Sequence, residues 1–444
     1  MRANELIQAL HNGQFDGQLR AVYGAQPLAA VSLGPEERAS ADRAGICAVY
    51  ERIESVINGF CENFDQDRGR DLMIFSAPGR TELGGNHTDH QNGCVLAGSV
   101  DMDTLACVAR NDGTMARVLS KGHRQAAVDV SDTSVHAEER SNSAALVRGV
   151  AARLAELGYA VGGFDAYTET QVLRGSGLSS SAAFEVLIGQ IMIDLFCGGG
   201  LNATQNAQIG QYAENVYYGK PCGLMDQMAC ATGGVIAIDF ADPKNPVVRQ
   251  CPVDFVKAGY ALVIIDSGAS HANLDDEYAA IPGECCAVAR FFGKERLHDV
   301  DEAEFLRRRD EVRAALGERP ALRAEHFFGE TKRAVAEYEA LERGDFAGYL
   351  ALVRASGESS EKKLQNVSLD RPDGDRLLRV IYKARELAGP AGAARVHGGG
   401  FAGTAQALVP LERLDSFVER IEAEFGKGCC HVVQIRNVGS TKLI

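Results

Sequence analysis

In "LRGSGLSSSAAFEV", Leu173 to Val186, two glycines precede three serines and an apolar run. Serine is a good N-terminal helix cap, and the apolar residues up to Phe196 recur at helical spacing, so a helix is expected from Ser179 to Phe196. Its first backbone N–H groups lack intrahelical partners and point outward, while Gly175 and Gly177 let backbone approach a bulky anion. On its own the stretch reads either as a phosphate cradle or as a helix-entry turn. No GxxxxGK[ST] occurs in the chain, which excludes an ordinary P-loop as the phosphate site.

Outward from this stretch, strands and helices alternate irregularly. "LMIFSAPGR", from Leu72, reads as a buried strand ending in a Pro-Gly turn, and "CVLAGSVDMDTLACVAR" as further strand. Helical spacing covers Asn142 to Leu157, "YALVIIDSGASHA" is strand-like, and Asp301 to Arg354 is charged and helical. "RVHGGGFAGTAQALVP" is a glycine-rich loop leading into a strand. Residues 1–60 are polar and helix-like, with "LGPEERASADRAG" as an expected hinge between two short segments. This mixture favours an α+β fold over a regular βαβ winding.

The bulk properties exclude several classes. A net charge of −14 argues against a phosphate-backbone binder, so no nucleic-acid partner is expected. The start "MRANELIQALHNGQFDG" lacks a basic and an apolar leader region, and no apolar run is long enough for a bilayer, so a cytoplasmic protein without membrane contact is expected. The twelve cysteines form no CxxC, and reduced, mostly buried thiols are the reading.

A second stretch concentrates polar chemistry. "GRTELGGNHTDHQNG", Gly79 to Gly93, crowds Asn86, His87, Asp89 and His90 into five positions. The same residue types serve a metal site, a hydrogen-bonded turn, or a pocket in which carboxylate and imidazole fork to vicinal hydroxyls.

Taken together, the stretches resemble the galactokinase family of the GHMP kinases. "GSGLSSSAA" is similar to the second GHMP signature, Gly79–Gly93 to the galactokinase signature, "HGGGFAGTA" to the third, and "AENVYYGKPCGLMDQMA" to the segment between them, in the family's order. The resemblance runs from about Leu72 to the C-terminus and implies a two-domain α+β GHMP kinase fold with the active site in the interdomain cleft. The expected divisions are an extension at 1–60, an N-terminal domain at 61–235 and a C-terminal domain at 236–444.

The resemblance also implies roles. Arg80 and Asp226 would stand beside the anomeric hydroxyl, with Asp226 as catalytic base, and Asn86, His87, Asp89, Gly223 and Tyr278 would contact the rest of the sugar. Gly175, Ser176, Gly177, Leu178, Ser179, Ser180, Ser181 and Ala182 would cradle the ATP phosphates. Ser181 and Glu214 would be the protein ligands of Mg²⁺, whose preference for hard oxygens suits a hydroxyl and a carboxylate. The implied activity is ATP-dependent phosphorylation of galactose at its anomeric hydroxyl by a monomer. A galacturonate or N-acetylhexosamine 1-kinase and a non-catalytic galactose and ATP sensor are the alternatives. Three features depart from the family pattern: Asn86 replaces a glutamate expected near C6, Ala402 replaces a glycine, and Ser143 and Leu146 stand where adenine-facing aromatics are found.

Overall fold

The computed structural model describes residues 1–24, 35–172, 177–269 and 274–444. Among them are the strands β1 (Met73–Gly84), β2 (Cys94–Arg110), β3 (Met115–Ser120), β4 (Ala126–Asp129), β5 (Phe164–Thr170), β6 (Val235–Asp239), β7 (Val247–Cys251), β8 (Tyr260–Asp266), β9 (Ala393–His397), β10 (Thr404–Pro410), β11 (Cys430–Val433) and β12 (Thr441–Lys442). The first sheet has the order β12-β1-β2-β5-β3-β4, and β6 and β7 extend it from β2. Only the β3–β5 pair among these is parallel. The second sheet is antiparallel, in the order β11-β8-β10-β9.

Both faces of the first sheet are covered, because both alternating sets of strand side chains are apolar. Phe75, Ala106 and Val108 face a core that includes Val186, Leu187 and Ile191 of the helix Ser180–Phe196. Ile74, Leu105 and Cys107 face the opposite way, against Leu6, Leu10, Leu19, Ile53, Ile57 and Phe60 of the N-terminal helices. The extension is therefore a structural layer of the sheet. Gly59 allows the closest approach, since a Cβ there would lie 2.3 Å from the Tyr167 ring.

One face of the second sheet packs under the helices Arg376–Ala388 and Leu414–Phe425. Its other face, through Leu262, Ile264 and Leu408, joins the main core, so the two lobes share apolar packing. A buried polar seam also ties them. Gln406 Nε2 donates to Thr81 Oγ1 at 2.6 Å, and Arg395 Nη1 to Glu82 Oε1 at 3.1 Å. The chain then returns from β11 to the first sheet, where Arg436 N donates to Ser99 O at 3.0 Å and β12 pairs with β1.

Two local expectations are corrected. The expected hinge instead begins a helix, Pro35–Phe64, of 30 residues, with Leu33 and Gly34 outside the described residues. Proline is tolerated in a first helical turn, and the Glu, Arg and Ala that follow are strong helix formers. β1 does not stop at Pro78–Gly79 but crosses it with a register shift between Pro78 and Arg80. β6 and β7, beyond residue 235, still pair into the first sheet, and the chain enters the second sheet between Cys251 and Tyr260. No helix among the described residues is long and apolar enough to cross a membrane.

Candidate active site

The bulge in β1 aims Arg80 across the cleft. Gly79 makes it possible, because a Cβ there would lie 2.8 Å from the Leu178 carbonyl oxygen, which also accepts from Arg80 N at 3.0 Å. Arg80 then meets Asp226 as a two-toothed fork, Nε to Oδ1 at 2.7 Å and Nη2 to Oδ2 at 2.6 Å. Its Nη1 donates to the Gly177 carbonyl, and Ser179 Oγ donates to Asp226 Oδ2. Asp226 lies in the first turn of the helix Met225–Thr232, where the helix dipole favours a negative charge. Burial pushes its carboxyl up, but the Arg80 guanidinium and the Ser179 hydroxyl outweigh burial and hold it below the ordinary range. About a third of the Asp226 side chain stays open to the cleft, against 8% for Arg80.

Ser179 precedes the helix Ser180–Phe196 but does not cap it with its side chain. It adopts a left-handed φ of 55°, uncommon for a non-glycine residue, which frees its hydroxyl for Asp226. Leu178 and Ala182 are buried, whereas Ser180 and Ser181 are partly exposed in the first turn, beside N–H groups without intrahelical partners. Gly177, at φ 71°, packs so closely on the second lobe that a Cβ would lie 2.8 Å from both His397 Nδ1 and Thr404 Oγ1. Gly175 and Ser176 lie outside the described residues.

On the other side of Asp226 stands the polar cluster. His87 Nε2 lies 3.1 Å from Gly399 O, and a carbonyl can only accept, so Nε2 carries the proton and Nδ1 is left as an acceptor. Burial lowers this imidazole to about 4, so it is neutral at physiological pH. Asp89 is raised to about 6 by burial and by the charge of Asp226. A Cβ at Gly223 would meet Asp89 Oδ2 at 2.1 Å, so glycine is required there for the close approach. His90 stacks obliquely near His87, with ring centroids 5.7 Å apart. Tyr278 Oη donates to Gly400 O at 3.0 Å.

Asn86 has a different environment from its neighbours. It is completely buried, and its Nδ2 donates to Glu82 Oε1 at 3.0 Å and to Gly398 O at 2.8 Å. Its Oδ1 accepts from Asn366 Nδ2 at 3.0 Å and Ser360 Oγ at 3.2 Å. Both donors and both lone pairs are thus engaged by the chain itself. The carbonyls of Gly398, Gly399 and Gly400 all point at this side, held by Asn86, His87 and Tyr278. Ala402 is buried and has no left-handed φ, so its methyl is accommodated.

Beyond the serines lies an acidic region. Glu214 sits in a wide helical turn, Ala213–Tyr218, a distortion frequent at functional sites. Its Oε2 accepts from Gln227 Nε2 at 2.9 Å, and its Oε1 lies 3.6 Å from Lys220 Nζ. Gln227 Nε2 also donates to Glu185 Oε2 at 2.9 Å. Sequence reading missed Glu185 and Gln227, although a lone acid one turn after Ser181 in an apolar helix was a usable signal. Among the described residues, no group of three or more His, Cys, Asp and Glu could hold a metal ion.

Comparison with known proteins agrees with this geometry. Residues 145–234 match the family described as GHMP kinases N terminal domain, and residues 58–110 match the galactokinase galactose-binding signature. Over these residues the chain is similar to the GHMP kinases and carries the galactokinase galactose-binding signature. A galactokinase of Lactococcus lactis, solved with galactose, is 24% identical, with a TM-score of 0.76 over 88% of this chain and 99% of that one. A D-glycero-D-manno-heptose 1-phosphate kinase from Bacteriodes thetaiotaomicron is 16% identical, with a TM-score of 0.58 over 84% of this chain and 98% of that one. The Methanococcus jannaschii mevalonate kinase, at 13% identity, gives 0.58 over 83% and 99%. The chain therefore has the two-lobed GHMP kinase fold, with Arg80, Ser179 and Asp226 in contact and His87 and Asp89 nearby.

Proposed function

We propose that the protein transfers the γ-phosphoryl group of ATP to the anomeric hydroxyl of galactose, giving galactose 1-phosphate and ADP. The observation that carries this reading is the Asp226 carboxylate, forked by Arg80 and touched by Ser179 between the helix N-terminus and the His87–Asp89 cluster. A hydroxyl in the opening beside Asp226 would face a phosphate resting on the first-turn N–H groups of Ser180, Ser181 and Ala182. Such placement supplies the in-line geometry that phosphoryl transfer requires.

Asp226 is ionised at neutral pH and accepts a hydrogen bond from the attacking hydroxyl. Because Arg80 weakens it as a base, its larger contribution is orientation, and a loose transition state asks little more. Arg80 keeps Asp226 in place and, with the loop amides, offers positive potential toward the transferring oxygens. Neutral His87 presents Nδ1 as an acceptor and Asp89 presents a carboxylate, so together they suit adjacent hydroxyls.

The acidic region fits magnesium. Glu214 and Ser181 are hard oxygen donors, and the buried Glu185 Oε1 and Gln227 Oε1 have no hydrogen-bond partner among the described residues. Ser181 and Glu214 would hold the ion, which supplies neutralisation of phosphate charge when bound. As Asn86 has no N–H left for a C6 carboxylate, galactose is favoured over galacturonate. An ADP-release assay across hexoses, hexuronates and amino sugars tests the reading, with galactose expected to give the highest kcat/KM. Galactose binding without ADP release for any sugar would instead identify a sensor.

A further inference from the structure

Glu185 lies one helical turn beyond Ser181, on the same face of the helix Ser180–Phe196. It is completely buried, yet the mechanism above gives it no task. Gln227 Nε2 binds Glu185 Oε2 and Glu214 Oε2 at 2.9 Å each, so the two carboxylate oxygens are no farther apart than twice that distance. One amide thus gathers two acids. Lys220, at 3.6 Å from Glu214 Oε1, answers the Glu214 charge, while Gln227, a neutral dipole, gives Glu185 no counter-charge. Glu185 Oε1 remains buried without a partner, and so does the Gln227 Oε1 beside it. Ionising Glu185 in this condition is costly, and burial and the Glu214 charge push its carboxyl well above its ordinary range. A hard cation coordinated by oxygen removes that cost, and Mg²⁺ commonly takes one or two carboxylates together with substrate phosphates.

We propose that Glu185 is a third protein member of the cation site, acting with Ser181 and Glu214 to hold the divalent ion against the nucleotide phosphates. The inference rests on the kinase reading of this cleft. Gln227 is a positioning residue in it, fastening both carboxylates to the helix that carries Asp226.

The test is a Mn²⁺ titration of the full-length protein with ADP, read by the electron paramagnetic resonance signal of unbound Mn²⁺. Glu185→Gln, Glu214→Gln and the unaltered chain are compared, with calorimetric galactose binding as the check of folding. Glu185→Gln is expected to raise the Mn²⁺ Kd about tenfold or more and to leave the galactose Kd within about twofold. A Mn²⁺ Kd within about twofold of the unaltered chain, while Glu214→Gln weakens binding, would overturn the role of Glu185 alone. If the unaltered protein binds Mn²⁺ no better than ADP does in solution, the cation site itself falls, and the kinase reading with it. Should Glu185→Gln fail to fold, Glu185→Asp retains the charge and shortens its reach. It should raise the Kd about threefold or more, and an unchanged value overturns the proposal.

Discussion

On the proposed reading the cleft has a sugar half and a phosphate half, and they differ in the kind of polar group they leave unmatched. On the sugar side the Asn86 side chain bonds four residues, His87 and Tyr278 hold carbonyls of the glycine loop, and Thr88 Oγ1 donates to Gly85 O at 2.9 Å. On the phosphate side two acids share one amide, and each half leaves two buried atoms unpartnered among the described residues, Glu185 Oε1 and Gln227 Oε1 here and His90 Nε2 and Asn366 Oδ1 there. Neutral dipoles can satisfy one another within a folded chain, whereas a net charge in a low-dielectric site needs a counter-charge. On that reading the sugar half is held mainly by neutral dipoles of the chain, and the phosphate half would be completed by a cation.

The largest effect should come where the halves meet. Asp226→Asn is expected to lower turnover by about 10²- to 10⁴-fold while ATP affinity stays within about threefold, measured by initial rates and equilibrium nucleotide binding. Turnover near that of the unaltered protein would show that the carboxylate's charge is not needed.

Next is the packed sugar side. Asn86→Glu would place a second buried carboxylate against Glu82, whose carboxyl burial already pushes up to about 7 despite the Arg395 ion pair. A stability loss of about 2–4 kcal/mol is expected in denaturant unfolding. The reciprocal exchange Glu82→Asn with Asn86→Glu should recover more than half of that loss, since contacting residues couple strongly. In the double variant the preference for galactose over galacturonate should stay within about twofold. A shift of a decade would mean that position 86 does read C6.

For the cation side, Glu214→Ala should raise the Mg²⁺ concentration for half-maximal activity about tenfold or more, with galactose affinity within about twofold. Excess EDTA should abolish activity, and retained activity would contradict the contrast between the two halves.

The smallest expected effect concerns Asp89. Its carboxyl is raised from 3.8 to about 6 in the fold, so between those values the folded state binds the proton more tightly than the unfolded state. Stability contributed by this group is then present below pH 4 and declines as pH rises through 6. Asp89→Asn should therefore stabilise the protein at pH 8 by about 1–2 kcal/mol, the shift discounted for partial solvent access. The gain should vanish near pH 4, and sugar binding should weaken at all pH values. A variant less stable at pH 8 would show that neighbouring groups compensate the Asp89 charge.

Much of this was legible beforehand where the signal is local. The strand Cys94–Arg110, the helix from Ser180 to Phe196 and the Asn142-started helix Ser143–Glu156 follow from apolar periodicity and caps that operate within a few residues. Arg80, His87, Asp89 and Asp226 were readable from motif order, and they do converge in one cleft. The continuation of β1 through Pro78–Gly79 was not readable, because the pairing with β2 that sustains the strand overrides the turn propensity of the dipeptide.

The sequence by itself determined the elements, the oxygen-rich chemistry of the cleft and the family to which the motifs belong, because these depend on side-chain type and short spacing. Tertiary structure decided what each polar group faces. Asn86 is committed to Glu82, Gly398, Ser360 and Asn366, three of them more than 270 positions away. Glu185 becomes a neighbour of Glu214 through an amide on a third element. Hydrogen bonds and charge pairing act over a few ångströms of space, and chain position says little about which groups the packed core will bring that close.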